Sequence, residues 1–312
     1  MTDPNHWVIG HGLLGSALVR RVRPDRSWTP PSAIAWTEPL LAIAQLREAA
    51  RQFLSAADDG PWRVSWCAGI GTVGATPSAL RDETSALQAV LREITARARS
   101  RGRFFYSSSA GAVYAGSPDP PFTESSPCIP VSPYGHSKVI QEQMVRAWAV
   151  SSGIDAIIGR ISNLYGPGQD FAKPQGVVTQ LCRSCLLREP MTIYVPLQTV
   201  RDYLYVDDCA AMILALLDDE VRPTDRQPVM RILASGQPTT LGSLIQITAR
   251  VVKRQPRIVQ VPSILSQGQV HDLRLRSEHM PTRPSPGTGL PTGVKRTFDD
   301  LLRTFQRGTP WA

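Results

Sequence analysis

Residues 6–22 read HWVIGHGLLGSALVRRV, and their order decides the fold. Trp7, Val8 and Ile9 make an apolar run of strand length. Gly10, Gly12 and Gly15 follow at once as G-x-G-x-x-G, with Leu13 and Leu14 beginning a helix. Glycine at these positions permits a tight turn, lets a pyrophosphate approach the backbone, and lets helix and strand pack closely. A glycine motif set between a strand and a helix is the setting in which it predicts a bound dinucleotide, with Gly10, Gly12, Leu13, Leu14 and Gly15 around it.

Working outward, strand and helix patterns alternate. SAIAWTEP (32–39) reads as a short strand, followed by a helix that aligns Ile43, Leu46, Ala50, Phe53 and Leu54. WRVSWCAG (62–69) reads as a strand ending in small residues, which places Cys67 and Ala68 at the cofactor crevice. SALRDETSALQAVLREI (78–94) is a helix with Leu80, Leu87, Leu91 and Ile94 on one face. RFFYSSS (103–109) is a strand, a helix begins at Tyr134, and IDAIIGRIS (154–162) is a strand again. This alternation predicts an α/β, Rossmann-type doubly wound parallel sheet. The expected division is a dinucleotide-binding core over residues 1–165 and a smaller, mixed α/β, mainly substrate-binding part over 166–312, interleaved with the core. In that second part helices are expected from about Pro174, Asp207 and Leu241, with strands at VMRILASG (229–236) and RIVQV (257–261). An irregular loop is expected over Pro281–Gly293, before a last helix.

Composition narrows the class. No apolar run reaches the roughly 18 residues of a membrane helix. The start, MTDPNHWVIGHG, reads as neither a signal nor a transit peptide, so the cytoplasm is the expected location. Five cysteines do not make a disulfide framework. Cys182 and Cys185, the one CxxC, lack partners at zinc-ligand spacing and read as packing residues, so no metal is expected. From Arg250 onward there are 11 Lys and Arg against 4 Asp and Glu, a net +7. Nucleic-acid binding would use such charge, but interleaved aromatics are lacking. A basic lid over a phosphate-bearing small molecule, or a solvated face, accounts for it equally.

The chemistry concentrates in SPYGHSKVIQEQ (132–143). The chain has 34 Lys and Arg, of which only four are lysine, and one of those, Lys138, stands four residues after Tyr134. Free tyrosine, with a pKa of about 10, is a poor base at neutral pH, and a neighbouring cation favours its phenolate. Four residues apart on a helix, the two side chains share a face. Lysine adds a compact ammonium that reaches a ribose hydroxyl while its charge acts on the phenol. Upstream, YSSSAGAVY ends a strand in three serines, which sets Ser109 beside Tyr134 at the crevice. Ser107 and Ser108 are also ordinary turn formers at such a strand end.

With these residues in place, the chain resembles the extended short-chain dehydrogenase/reductases, the NAD-dependent epimerase/dehydratase family acting on nucleotide sugars. GHGLLG, SSSAGAVY, SPYGHSK, RISNLYGPGQ and RDYLYVDD occur in that family's order. The resemblance implies that Tyr134 is the acid/base, that Lys138 assists it and binds the nicotinamide ribose, and that Ser109 completes the catalytic set. Ser108 is the fallback, because SSSAGAVY is one residue longer than the commonest form. Asn163 would meet the sugar or its phosphate. Arg201 would meet the diphosphate, with Arg276 in the basic C-terminal part as a secondary candidate. Asp207 and Asp208 are expected to cap the following helix. Homodimers through a helix pair are usual in such enzymes, while no residue pattern here fixes one.

Two features depart from the family. After the expected second strand, Trp36 and Thr37 stand where NAD enzymes carry a ribose-binding carboxylate, and Arg20 and Arg21 lean the NAD(P) choice toward NADP. Only one helix separates IAWTE from WRVSWC, which leaves no room for the usual third strand. In addition, Ala110, Gly111 and Ala112 supply no acid for 4,6-dehydration. The expected activity is therefore NDP-4-keto-hexose reduction. The alternatives are a 4-epimerase with tightly held NAD and, more distantly, a non-catalytic protein binding a dinucleotide or RNA.

Overall fold

A computed structural model describes residues 5–69, 75–98, 101–170, 175–219, 227–261, 271–279 and 287–308. Its first half runs β1 (Asn5–Ile9), α1 (Leu13–Arg21), β2 (Ser27–Trp28), α2 (Pro39–Ala57), β3 (Trp62–Trp66), α3 (Pro77–Arg97), β4 (Gly102–Ser109), α4 (Ala110–Val113), α5 (Pro133–Ser152) and β5 (Asp155–Ile161). The second half contributes β6 (Asn163–Tyr165), α6 (Val177–Leu187), β7 (Pro190–Ile193), β8 (Val200–Tyr205), α7 (Val206–Asp218), β9 (Val229–Leu233), β10 (Pro238–Thr240), α8 (Leu241–Val252), β11 (Arg257–Gln260) and α9 (Leu290–Gln306). The Pro281–Gly293 loop expected from sequence lies partly outside the described residues, as does the expected helix start at Pro174.

Six strands form one sheet in the order β2-β1-β3-β4-β5-β9, every neighbouring pair parallel. A sheet buried on both faces requires apolar residues on both sides of its strands. Trp7, Val8 and Ile9 are accordingly all buried. One face carries α2, α3 and α5 over a core built around Trp7, Trp62, Trp66, Phe104 and Trp148. The other carries α1 and α7 over Leu18, Phe105, Ile157 and Ile213. Strand β9, from the second half of the chain, completes the sheet beside β5. The rest of that half builds a separate β10-β8-β6 sheet and a β11-β7 pair, packed with α6, α8 and α9 around Tyr165, Leu181, Tyr203 and Leu244.

Two expectations need correction. Residues 32–38 form no strand; the second strand is the two-residue β2, paired with β1 at His6 and Trp7. Ile34 packs instead against the core beneath α2, and the Ala35 N–H is taken by the Gln45 side chain. Tyr205, not an aspartate, is the N-cap of α7. Asp207 pairs with Arg20 at 3.2 Å, and Asp208 accepts from the Thr288 N–H and hydroxyl. Cys182 and Cys185 are buried in α6, and burial pushes their thiols up to about 12 and about 11. Among the described residues no cluster of three or more His, Cys, Asp or Glu could hold a metal, and no helix is long and apolar enough to cross a membrane.

In the sheet itself, His6 on β1 bonds Ser65 on β3 at 2.8 Å, both fully enclosed. Burial, reinforced by the Arg63 charge, pushes the imidazole from 6.5 down to about 3. The unfolded chain therefore binds this proton first, so stability is complete above about pH 6.5 and falls as the pH drops toward 3. Denaturant unfolding is expected to weaken by up to about 1.4 kcal/mol per pH unit across that window. His6→Asn should show a flatter profile.

Candidate active site

The C-terminal ends of the parallel strands open on a cleft of about 740 Å³. The chain runs from β1 toward β2 on one side and returns to β3 on the other, so the strand order reverses at β1. That is the place where an open α/β sheet leaves a crevice. Gly10 turns the chain there with φ +89°, and a Cβ on it would stand 2.4 Å from the Ala68 backbone. A Cβ on Gly15 would stand 1.8 Å from the Gly10 carbonyl oxygen, so α1 packs against the turn as only glycine allows. Gly12 is different: nothing lies within 4 Å of where its Cβ would be. It caps α1 without a side-chain bond, leaving the first-turn N–H groups facing the cleft. That cradle suits the pyrophosphate of a dinucleotide. Leu13, Leu14, Cys67 and Ala68 line it too. Trp36 and Thr37 do not; both are exposed, because β2 ends at Trp28.

Across the cleft Ser132 caps α5 by accepting the Gly135 N–H, and Tyr134 and Lys138 follow on the buried side of the helix. The Lys138 ammonium lies 5.6 Å from the Tyr134 ring centroid and is only 4% exposed. It donates to Glu83 on α3 at 3.0 Å, and to the Tyr106 hydroxyl and Gln141 Oε1 at 3.3 Å each. Tyr106 in turn donates to Gln141, whose amide donates to Glu83 at 3.3 Å and Thr84 at 3.0 Å. Burial opposes the lysine's charge. The Tyr106 and Tyr134 phenols and the Glu83 carboxylate outweigh it, so the ammonium is held more firmly than in free lysine.

The three serines of β4 alternate across the sheet. Phe104, Tyr106 and Ser108 face α5, meeting Trp148, Gln141 and Glu142 respectively. Ser108 donates to Glu142 Oε1 at 2.5 Å. Ser107 and Ser109 take the opposite side, and all three line the cleft. Glu142 also holds Arg160 of β5, with Nη2 at 2.7 Å and Nε at 3.0 Å, while Arg160 Nη1 donates to the Tyr114 hydroxyl at 2.6 Å. Ser108 is thus anchored through a buried ion pair.

The second half supplies the far wall. Asn163 lines the cleft with its amide N–H tied to the Asp202 carbonyl at 2.9 Å, leaving its oxygen available. Arg201 lines it as well, and its guanidinium bonds the Val200 carbonyl at 2.8 Å. Among the described residues no carboxylate stands within ion-pair distance of Arg201, and burial lowers its pKa against the pull of Tyr203 and Asp272. Arg276 is exposed and lies outside the cleft lining; its backbone N–H bonds Phe122 instead. Residue order alone does not single out Glu83, Tyr106 and Gln141. Their one signal is an acidic residue, Glu83, at the core-facing step between Leu80 and Leu87.

With this geometry in view, the pattern of the NAD dependent epimerase/dehydratase family matches residues 7–227, and the chain belongs to that family. It is 33% identical over 144 residues to dTDP-4-dehydro-6-deoxyglucose reductase of Escherichia coli, across 46% of this chain and 44% of the relative. It is 32% identical over 119 residues to dTDP-glucose 4,6-dehydratase of Neisseria meningitidis serogroup B, across 38% and 33%. The matched stretch thus spans less than half the length of either curated relative. Two solved structures share the fold. UDP-glucose 4-epimerase of Thermotoga maritima, crystallised with UDP-glucose, superposes with TM-score 0.76 at 22% identity, covering 96% of this chain and 99% of the other. RMD of Pseudomonas aeruginosa, complexed with NADPH, superposes with 0.74 at 21%, covering 96% and 98%.

The Arg160–Glu142 pair gives a direct test. Removing one member leaves the other charge buried and unpaired. Arg160→Met is expected to lower unfolding free energy by about 3–5 kcal/mol. Combining it with Glu142→Leu should recover most of the loss in denaturant titrations.

Proposed function

We propose that this chain reduces the 4-keto group of a nucleotide-linked hexose, with NADPH as the preferred hydride donor. The observation that carries the choice of reductase is the bareness of the adenosine side. β2 has two residues, no strand pairs beyond it among the described residues, and the stretch after it, Thr29-Pro30-Pro31-Ser32, carries no carboxylate. A 4-epimerase keeps its cofactor through every cycle and gains from a closed adenosine pocket. A reductase must release the oxidised form each turnover, so a sparsely gripped adenosine favours it. With no carboxylate to oppose a 2′-phosphate, NADPH is also the better partner. Arg21 remains a candidate for that phosphate, whereas Arg20 is engaged with Asp207.

When bound, the nicotinamide supplies hydride to the carbonyl carbon. The protein's own part is proton delivery and orientation. Tyr134 donates its phenolic proton to the oxygen as negative charge builds there. Lys138 stabilises the phenolate left behind. Ser109, which lines the cleft, steadies the carbonyl oxygen through its hydroxyl, since Ser108 already gives its own hydrogen to Glu142. Asn163 and Arg201 hold the sugar and the diphosphate on the far wall, Arg201 through its planar fork. Elimination of water finds no acid in the residues that follow the serines, Ala110, Gly111 and Ala112, and Glu142 at Ser108 is held as the partner of Arg160.

Tyr134→Phe is expected to lower kcat about 10²- to 10⁴-fold on a nucleotide-linked 4-ketohexose. NADPH affinity, followed by fluorescence, should stay unchanged. Purified protein should release little nucleotide when denatured. Stoichiometric release of NAD, together with interconversion of 4-epimers, would instead establish the epimerase. Indifference of every activity to Tyr134→Phe would leave a non-catalytic dinucleotide binder.

A further inference from the structure

We propose that Glu83 is a positioning residue of this reaction, setting how much of the Lys138 charge is felt at Tyr134. This rests on reading Tyr134 as the acid/base. An ammonium has three N–H bonds, and three protein acceptors surround this one: Glu83 at 3.0 Å, Tyr106 at 3.3 Å and Gln141 at 3.3 Å. A ribose hydroxyl can gain an N–H only by displacing one of them. The two longer contacts, to uncharged acceptors, give way before the ion pair, so Glu83 remains the anchor while the lysine turns toward the cleft.

Glu83 is 8% exposed and shares a closed hydrogen-bonded ring with Lys138, Tyr106 and Gln141, whose net charge is zero. A lone cation beside a phenol favours the phenolate; a cation with a carboxylate on its other side does so less. The other groups facing this point do not substitute for Glu83. From β4 come the Tyr106 phenol and the serine hydroxyls. From α5 itself comes Glu142, neutralised by Arg160 of β5, and His136 on the same helix is exposed. From α3 comes Thr84, which is uncharged. Gly69 also leaves the carboxylate its place, since a Cβ there would stand 3.3 Å from Glu83 Oε1. Glu83 therefore works against the lysine's pull on the Tyr134 phenol, whose protonated form is the one a reductase needs as proton donor.

Two readouts on the full chain test this. The first is near-ultraviolet phenolate absorbance, taken for each protein as the difference from the same protein carrying Tyr134→Phe. The second is the alkaline fall of kcat/KM with NADPH and a nucleotide-linked ketohexose. Glu83→Gln keeps an acceptor and removes the charge, and is expected to move both transitions about one pH unit lower. Glu83→Asp, whose carboxylate stops one methylene short of the ammonium, should move them the same way by less, and carries the test alone should Glu83→Gln not fold. Phenolate transitions unmoved in either variant, with only the thermal midpoint lowered, would overturn the proposal and leave Glu83 a purely structural partner. A phenolate shift without turnover of any ketohexose would uphold Glu83's role and overturn the reductase reading instead.

Discussion

A lysine ammonium cannot be taken out of water without partners, and the burial of Lys138 is the condition the site is built around. Its partners come from three elements: Glu83 from α3, Tyr106 from β4 and Gln141 from α5. Meeting the charge therefore fixes two helices against one strand. Four residues further along α5, Glu142 repeats the device with Arg160 of β5. Tyr134, Lys138 and Glu142 fall at successive four-residue steps, so they form one stripe on the helix. The first position faces the cleft and the next two are tied beneath it. The phenol is held in place because the two residues behind it cannot slide without exposing or unpairing a buried charge.

The opposite wall is held by backbone contact in place of charge. Gly15 abuts the Gly10 carbonyl, and Gly10 abuts Ala68, so α1, β1 and the end of β3 meet with no side chain between them. This compactness leaves the space over Gly12 clear and directs the first-turn N–H groups of α1 into it. One wall thus turns backbone N–H groups toward the cleft, and the other the Tyr134 phenol with the Lys138 ammonium behind it. The cleft between them is the width the sheet leaves where its strand order reverses at β1.

These two walls were unequally legible. The glycine turn, the Tyr134–Lys138 spacing and the amphipathic helices α2 and α3 read directly from residue order, because each depends on contacts within one or two turns. β2 did not. Two residues, Ser27 and Trp28, carry no period, whereas the short apolar run at residues 33–36 exists for another reason: Ile34 packs against the core that α2 covers. The short strands β6, β7, β8 and β10 passed unread because three to six residues of mixed character take their strand form from neighbours distant in sequence. Ser108 and Ser109 were separable only once the side of the sheet on which Gln141 and Glu142 sit was known. Glu83 left one trace, a carboxylate among the leucines of a buried helix face, whose meaning depends on a lysine 55 positions away.

The distribution of constraint along the cleft bears on the chemistry. At the Tyr134 end, two buried ion pairs, a hydrogen-bonded ring and a capped helix restrict motion. At the adenosine end, among the described residues, the sheet stops at a two-residue strand, and residues 29–32 after it carry no carboxylate. Binding contributed far from the reacting carbon holds ground state and transition state alike, and slows the departure of a used cofactor without lowering the chemical barrier. Rigid placement of the proton donor acts on the barrier itself. In the proposed reduction, buried charge pairs concentrated around the phenol and a spare adenosine edge suit a hydride donor that arrives and leaves with each turnover. In that reading the proton comes from Tyr134, on a helix tied to its neighbours by both buried pairs.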